Sequence, residues 1–394
     1  MLKPYYDVVV IGGGIHGVGV AQAAAARGYS VLLLEQNEIA SGTSRKSSKL
    51  IHGGLRYLES GQFSLVRECL TERHLLLQNA PHLVEMKPFY FPVYEHTTRR
   101  PWQLQIGLSL YALLAGFRKQ AFFHRLKNGN RNWAQLDGLT TRNLQAVFQY
   151  WDAQTDDQLL TRAVLGSAKD MGADAIEHAQ LCLACHHDNG WQIGYKTEMG
   201  DFEVGSTVLV NAAGPWVNET LKRIAPDEKG MAVDLVQGTH IVLAEKIRQG
   251  IYYVESPEDR RAIFVMPWYG QTLVGTTEKM FAGDPAKVRP TAEEVRYLLA
   301  TASHYFPRFA QAEVKHSFAG LRVLPRQEGA AFSRPRETTI YLDKTGSCFS
   351  IYGGKLTAYR ATSAQVVNRF QGLLPVKRLI ADTRYLKLPD VGTE

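Results

Sequence analysis

Cysteine is scarce in this chain, and the four that occur among 394 residues are Cys69, Cys182, Cys185 and Cys348. So few cysteines, so unevenly spaced, exclude a disulfide framework and favour a reducing compartment. Uninterrupted apolar runs of about 18 residues are also lacking, which argues against a membrane-spanning helix. Residues 1–7 lead directly into a strand pattern, and a charged start, an apolar stretch and a small-residue cleavage site do not follow one another there. We therefore expect no secretion signal and a cytoplasmic protein.

Acidic residues are the minority among the charges, with 38 Asp and Glu against 45 Lys and Arg, which gives a net charge of +7. Such an excess favours anionic ligands, acidic lipid surfaces or nucleic acid as partners. Nucleic acid is the weakest of the three, because the basic residues are scattered and no motif interleaves them with aromatic residues. With 45% hydrophobic residues, the chain can bury a large core and form two or three domains.

The chain opens with a compact βαβ pattern. Residues 7–11 form an apolar run typical of a strand covered on both faces, and residues 31–34 form a second such run. Between them, the alanine-rich residues 15–27 predict a helix. The pattern therefore predicts parallel strands joined by a crossover helix, and Glu35 closes the unit.

Gly12, Gly14 and Gly17 have the spacing of a dinucleotide-binding fingerprint at the start of this helix. The glycines allow a tight turn and bring the backbone close to a pyrophosphate, which the helix N-terminus attracts. Glu35 is placed to bind ribose hydroxyls, which argues against a 2′-phosphate on the ligand. From these residues alone, FAD and NAD both remain open.

Short hydroxyl side chains, including Thr43, Ser44 and Ser48, cluster in the loop of residues 41–48. Together with Lys49 they would hold the second side of a pyrophosphate. The alternative is a solvated cluster that caps a helix start.

Five further stretches resemble one family in their order and spacing. They are similar to the FAD-dependent glycerol-3-phosphate dehydrogenases, flavoproteins of the D-amino-acid-oxidase type, and the resemblance runs from about residue 7 to residue 370. The stretches are residues 49–58 (KLIHGGLRYL), 211–216 (NAAGPW), 275–278 (GTTE), 320–322 (GLR) and 353–357 (GGKLT).

The resemblance implies noncovalently bound FAD and oxidation of sn-glycerol 3-phosphate to dihydroxyacetone phosphate, with electrons passed to quinone or oxygen. It implies an α/β fold, in which a doubly wound, Rossmann-like FAD-binding domain carries an α+β substrate domain built on an antiparallel sheet. We expect the FAD-binding domain at residues 1–85, 158–225 and 320–394, and the substrate domain at residues 86–157 and 226–319. Family members commonly continue into a further helical domain, whereas this sequence ends at Glu394. The resemblance therefore implies less about dimerisation, membrane attachment and acceptor binding.

Cationic side chains in these motifs are candidates for binding a phosphate dianion. Arg56, Arg322 and Arg334 fall where the family surrounds the flavin, and a guanidinium group binds phosphate oxygens in pairs. Lys355 follows two glycines at a predicted helix start, where its charge would stabilise a reduced flavin or contact substrate. The resemblance further implies cofactor binding by Gly214, Gly354, Lys355 and Thr357, and substrate binding by Tyr57, His240, Thr277 and Lys355. For Tyr57 the alternative is a packing role, and for Thr277 it is capping of a strand end.

Alcohol oxidation removes a hydride from carbon and a proton from the hydroxyl group, so the site needs a base. Of the 12 histidines, His52 and His240 lie in motifs that match the family. We expect His52 to act at the reacting carbon together with Arg322 and Lys355. A purely structural role for either histidine remains open.

The stretch CLACH at residues 182–186 matches a haem-attachment pattern and half of a zinc site. Haem attachment occurs outside the cytoplasm, and no second ligand pair lies at zinc spacing, so we expect no metal. Leu181 and Leu183 alternate with Cys182, which predicts a strand with incidental cysteines.

Residues 102–117, from Trp102 to Phe117, show an amphipathic helical pattern flanked by basic residues. The stretch is too short to span a bilayer. It suits a helix that lies on anionic lipid at the inner face of the cell membrane, as a quinone-reducing enzyme would need. The alternatives are a buried helix of the substrate domain and a homodimer contact.

Two other functions remain open. An amine or 2-hydroxy-acid oxidase of the same flavoprotein group would need one arginine for a carboxylate, whereas the several cations here favour a phosphate. A non-catalytic flavoprotein or redox-sensing assembly factor would bind FAD without oxidising a small alcohol.

Overall fold

The structure is a computed structural model that describes residues 2–116, 122–126, 133, 135–227, 229–326 and 338–392, without the side chain of Arg56. Two sheets organise this part of the chain. The helices, numbered in chain order, are α1 (Ile15–Ala26), α2 (Phe63–Asn79), α3 (Pro101–Leu114), α4 (Asp157–Asp170), α5 (Val217–Leu221), α6 (Ala292–Tyr305) and α7 (Tyr359–Asn368).

The first sheet grows from the predicted βαβ unit. Its strands are β1 (Tyr5–Ile11), β2 (Val31–Leu34), β7 (Asp174–Ile176), β8 (Gln180–His187), β9 (Gly190–Thr197), β10 (Gly200–Asn211), β11 (Ile224–Ala225), β18 (Thr339–Leu342) and β19 (Cys348–Tyr352). β1 pairs in parallel with β2 and β10, and β19 pairs in parallel with the end of β10. β8 and β9 extend the sheet as an antiparallel hairpin.

Both faces of the central strands are covered, which explains their continuous apolar sequence. Val8, Val9 and Val10 are fully buried in β1. On one face α1, α4 and α7 pack together against β1, and on the other α5 packs beside residues of β8 and β9. Parallel strands covered on both faces are typical of the doubly wound arrangement.

The second sheet is mostly antiparallel. Its strands are β3 (Leu50–Ile51), β4 (Val84–Tyr94), β5 (His124–Arg125), β6 (Leu144–Thr155), β12 (Val233–Leu243), β13 (Ile251–Glu255), β14 (Ala262–Trp268), β15 (Gln271–Gly275), β16 (Lys279–Phe281) and β17 (Val314–Pro325). The longest pairings are β4 with β6 and β12 with β17. α3 covers one face and α6 the other. The α/β fold class, with a Rossmann-like part and an antiparallel sheet, is confirmed.

The division into two domains stays a prediction, which the two sheets support in outline. The sequence assigned residues 50–51 and 320–325 to the FAD-binding domain, whereas β3 and β17 pair within the second sheet. α2 contacts both parts through adjacent residues: Glu72 accepts from Arg360 of α7 at 2.8 Å, and Arg73 forms an ion pair with Asp152 of β6.

The cysteine-containing stretch lies in β8, as predicted, and Cys182 and Cys185 are free thiols. Within the described ranges, no group of His, Cys, Asp and Glu is suited to hold a metal ion. In the same ranges, no helix has the length and apolar character needed to cross a membrane.

Candidate functional site

A long cavity of about 740 Å³ lies at the carboxyl ends of the parallel strands and continues to the second sheet. Gly12 follows β1, Glu35 follows β2, and Ala212 follows β10, and all three line it. At the other sheet, the cavity wall includes His240 of β12 and Arg322 of β17. Ligands of doubly wound sheets bind at this strand edge.

The glycines of the fingerprint make room between β1 and α1. Gly12 has a φ of 108°, and a Cβ on it would lie 2.7 Å from the carbonyl oxygen of Ala212. A Cβ on Gly17 would overlap the carbonyl oxygen of Gly12. Gly12 and Gly14 line the cavity, whereas Gly17 does not line it and packs against the backbone of Gly12. The backbone of this turn therefore lies directly at the cavity wall.

Glu35 lies at the cavity wall with its carboxylate fixed. The carboxylate accepts hydrogen bonds from the backbone N–H of Gly13 at 2.6 Å and of Asn37 at 2.8 Å. Burial raises the pKa of Glu35, and these two hydrogen bonds oppose the rise. The fixed carboxylate is an acceptor suited to ribose hydroxyls.

The hydroxyl loop connects the two sheets beside the cavity. Thr43 donates to the carbonyl oxygen of Leu321 at 2.8 Å, and Ser48 shares a 2.9 Å hydrogen bond with Nε2 of His240. Ser44 accepts from the backbone N–H of Ile15 at 2.8 Å, so it satisfies a donor in the first turn of α1. Thr43, Ser44 and Ser48 all line the cavity.

These residues fit a bound FAD. The glycine turn, the start of α1 and Glu35, which all lie at the cavity wall, suit the phosphates and a ribose. Gly214, Gly354 and Thr357 line the same cavity, and a Cβ on Gly354 would overlap Nε2 of His16. The backbone at these glycines therefore forms part of the cavity wall, in the region where the resemblance to the family implies that the flavin binds.

His240 is buried at the base of the site. Its ring stacks on Phe318 with centroids 5.0 Å apart, and 2% of the residue is exposed. Burial lowers the pKa of His240 to about 3, and the positive charges of Arg322 and Lys49 lower it further. The imidazole is therefore neutral at ordinary pH.

A second group of predicted residues converges at the loop after β19. Nζ of Lys355 lies 4.4 Å from the ring centroid of Tyr57, within cation–π range. The backbone N–H of His52 donates to Oγ1 of Thr357 at 3.2 Å. His52, Tyr57, Lys355 and Thr357 all line the cavity.

The predicted threonine is turned away from the cavity. Thr277 donates to Oε1 of Glu294 at 2.6 Å and accepts from the backbone N–H of Thr239 at 2.9 Å. Its neighbour Thr276 lines the cavity instead. Arg322 lines the cavity, whereas the side chain of Arg56 and the whole of Arg334 lie outside the described residues.

Some lining residues were not singled out from the sequence. His16 occupies a variable position of the fingerprint, and desolvation lowers its pKa to about 4. Cys69 of α2 also reaches the wall, where burial raises the pKa of its thiol to about 11. The position of His16 within the fingerprint could have identified it as a cavity residue. Cys69 reaches the cavity only because of how α2 packs, which the sequence pattern does not reveal.

The fold and the cavity define a flavin-dependent oxidoreductase of the doubly wound class, and comparison with known proteins agrees. The family described as FAD dependent oxidoreductase matches residues 7–360. The chain is 36% identical over 378 residues to a glycerol-3-phosphate dehydrogenase of Pseudomonas aeruginosa, covering 94% of this chain and 72% of that one. It is 34% identical over 382 residues to a D-erythritol 1-phosphate dehydrogenase of Brucella abortus, covering 94% and 74%.

Among solved structures, a glycerol-3-phosphate dehydrogenase from Bacillus halodurans complexed with FAD matches with a TM-score of 0.77 and 27% identity, covering 98% of this chain and 68% of that one. The chain therefore belongs to the FAD-dependent oxidoreductase family. The predicted cofactor, the enzyme class and the resemblance to the glycerol-3-phosphate dehydrogenases are confirmed.

Proposed function

We propose that this chain oxidises sn-glycerol 3-phosphate to dihydroxyacetone phosphate. The observation that carries the proposal is the composition of one continuous cavity. The part that fits FAD leads to a wall that contains Arg322, Lys355, His52 and His240. Cations to bind a phosphate and a histidine to accept a proton are the groups that this reaction requires. The names of the relatives support the same substrate class.

Arg322 and Lys355 are the described cations that we assign to the substrate. Both are half-buried in the cavity wall, where a charge interaction is screened less than at an open surface. Arg322 offers a planar pair of donors that matches a phosphate, whereas Lys355 offers a point charge. Fixing the phosphate restricts how the neighbouring carbinol carbon lies in the site.

His52 is the base that the geometry favours. It lines the cavity, and the hydrogen bond from its backbone to Thr357 fixes its position. His240 is less suited, because its lowered pKa makes it a weak base and its Nε2 is already bonded to Ser48. We assign the hydroxyl proton to His52 and a contact with substrate to His240. When bound, FAD supplies the two-electron acceptor for the hydride.

We further propose that α3 attaches the protein to the inner face of the cell membrane, where quinone or oxygen accepts the electrons. Leu104 and Leu108 are buried against the second sheet, while Trp102, Ile106 and Leu113 are 63%, 61% and 53% exposed. The helix thus has a packed side and an exposed apolar side, as an interfacial helix does. A homodimer contact through the exposed side is the alternative. Phe117, the last residue of the predicted amphipathic stretch, lies outside the described residues.

The decisive experiment is anaerobic mixing of the FAD-loaded protein with glycerol 3-phosphate while the flavin absorbance is followed. We expect the oxidised band to bleach with saturation in substrate. Glycine and lactate serve as comparison substrates for an amine or 2-hydroxy-acid oxidase. Bleaching by these compounds, but not by glycerol 3-phosphate, would overturn the proposal. Failure of every compound to bleach the flavin would favour a non-catalytic flavoprotein.

The Brucella abortus relative supports a second candidate, a longer polyol phosphate. Arg322 and Lys355 would bind the phosphate of either substrate, so the cations alone do not select the chain length. D-Erythritol 1-phosphate therefore belongs in the same panel. A kcat/KM higher for erythritol phosphate than for glycerol phosphate would assign this second substrate.

A further inference from the structure

A buried network of hydrogen bonds lies directly behind the substrate end of the cavity. The backbone N–H of Gly53 donates to the hydroxyl oxygen of Tyr111 at 2.9 Å, and this hydroxyl donates to Oδ2 of Asp152 at 2.7 Å. Tyr111 and Asp152 are each 2% exposed. Tyr111 belongs to α3 and Asp152 to β6, so Tyr111 connects the backbone N–H of Gly53 to a carboxylate of the second sheet.

Arg73 fixes the other end of the network. It forms an ion pair with Oδ1 of Asp152 and donates to the carbonyl oxygen of Trp151 at 3.1 Å. Both oxygens of the buried carboxylate are therefore hydrogen-bonded, as a buried charge requires. Burial raises the pKa of Tyr111 well above its ordinary value, and the negative charge of Asp152 adds to the rise. The hydroxyl group therefore stays protonated and donates a hydrogen bond to Asp152.

The network acts on the loop that carries the predicted catalytic residues. Gly53 directly follows His52, and the short helix Leu55–Leu58, which includes Tyr57, begins two residues later. From the opposite side, Thr357 accepts from the N–H of His52. A Cβ on Gly53 would overlap the Tyr111 hydroxyl and lie 2.5 Å from Cδ2 of Leu70, so the backbone has no room to shift in that direction.

We propose that Tyr111 is a positioning residue for the oxidation, and that it acts by fixing the backbone between His52 and Gly53. The proposal rests on the function proposed above, in which His52 receives the hydroxyl proton. Removing the Tyr111 hydroxyl leaves the N–H of Gly53 and one oxygen of Asp152 without their partner. The loop then gains freedom, and small displacements of a reacting group are costly for the rate.

The test compares Tyr111→Phe with Tyr252→Phe in the FAD-loaded protein. Tyr252 is a matched control, because it is also buried and donates to an aspartate, Oδ2 of Asp137 at 3.0 Å, away from the cavity lining. For Tyr111→Phe we expect unchanged FAD content, a kcat lower by about 10- to 100-fold and a KM within about threefold of wild type. Amide hydrogen exchange over residues 50–58 should accelerate. Tyr252→Phe should change neither kcat nor this exchange.

Equal kinetics in the two variants, or unchanged exchange in residues 50–58 of Tyr111→Phe, would overturn the proposal. If Tyr111→Phe does not retain FAD, Arg73→Lys tests the network from its other end. It keeps the charge beside Asp152 but loses the guanidinium geometry, and we expect a smaller loss of kcat with faster exchange in the same segment. Wild-type protein whose flavin is not bleached by glycerol 3-phosphate would refute the proposed function. The exchange comparison would still decide whether Tyr111 fixes the loop.

Discussion

Oγ of Ser48 and Nε2 of His240 lie 2.9 Å apart and connect the loop after β2 to strand β12 across the cavity wall. The other ring nitrogen, Nδ1, is buried and has no hydrogen-bond partner among the described residues. A protonated imidazole carries two donors, and here one of them would lack an acceptor. Together with the nearby charges of Arg322 and Lys49, this arrangement keeps His240 neutral.

This neutrality predicts a pH dependence of stability. The pKa of His240 is about 3 in the folded protein, against an ordinary value of 6.5. Between these values the unfolded state binds more protons, so His240 causes stability to fall as the pH drops from 6.5 towards 3. Between pH 6.5 and pH 5, we expect wild type to lose about 1–2 kcal/mol more than His240→Asn in its free energy of unfolding. Urea unfolding at both pH values, with FAD in constant excess, measures this difference. Parallel losses in the two proteins would contradict the assignment of a neutral buried imidazole.

Arg322→Ala should separate substrate binding from cofactor binding. Loss of a charge-assisted pair of hydrogen bonds to phosphate should lower kcat/KM for glycerol 3-phosphate by about 10- to 100-fold, mainly through KM. The FAD content should stay at the wild-type level. Arg326→Ala is the control, because this nearby arginine is exposed and pairs with Asp234. An Arg322→Ala protein that loses flavin but keeps normal substrate kinetics would refute the assigned role.

Gly17→Ala should abolish stable FAD binding. The added methyl group would overlap the carbonyl oxygen of Gly12, so either the turn or the start of α1 must move away from the ligand. The ratio of flavin to protein absorbance after purification measures the loss. Gly107→Ala in α3 is the control, because a Cβ at this position has no atom within 4 Å. This substitution should stabilise the helix by about 0.5–1 kcal/mol and leave the flavin content unchanged. Full flavin content in Gly17→Ala would show that the turn tolerates a side chain.

The part of the site that fits the phosphates and ribose of FAD could be predicted, because the sequence patterns that indicate it are local. Strand β1, the glycine turn, helix α1 and Glu35 lie within one short segment, and each has a distinct pattern of apolarity or spacing. The sequence alone leaves two interpretations of Ser44, for a physical reason. A hydroxyl group near a helix start suits both a backbone N–H and a phosphate, and the structure shows it bonded to Ile15.

The substrate end depends on contacts between distant parts of the chain. Thr276 and Thr277 are adjacent and chemically alike, and what turns Thr277 away from the cavity is Glu294 of α6. The partner of Gly53 is Tyr111, 58 residues later in the sequence. β17 likewise joins the second sheet because it pairs with β12 along its whole length. A pattern within one segment carries no information about these partners.

The exposed side of α3 should bind anionic lipid. Replacing Trp102, Ile106 and Leu113 together by Ser removes the apolar surface that would enter the interface, and should weaken binding to vesicles by at least about tenfold. Cosedimentation with phosphatidylglycerol vesicles measures the effect, and phosphatidylcholine vesicles show how much depends on charge. A double change, Leu379→Ser with Ile380→Ser, is the control, because these residues are similarly exposed, at 60% and 57%, but lie outside α3.

A lipid contact and a homodimer contact predict different results for the triple variant. If α3 lies on the membrane, wild type and variant should have the same mass by sedimentation equilibrium, and binding of wild type should fall as salt screens the anionic headgroups. If α3 forms a dimer contact, wild type should sediment as a dimer without lipid and the triple variant as a monomer. Because apolar side chains contribute to both contacts but charge only to the first, the salt dependence of vesicle binding decides between them. Salt-insensitive binding that the triple variant retains would contradict the membrane proposal.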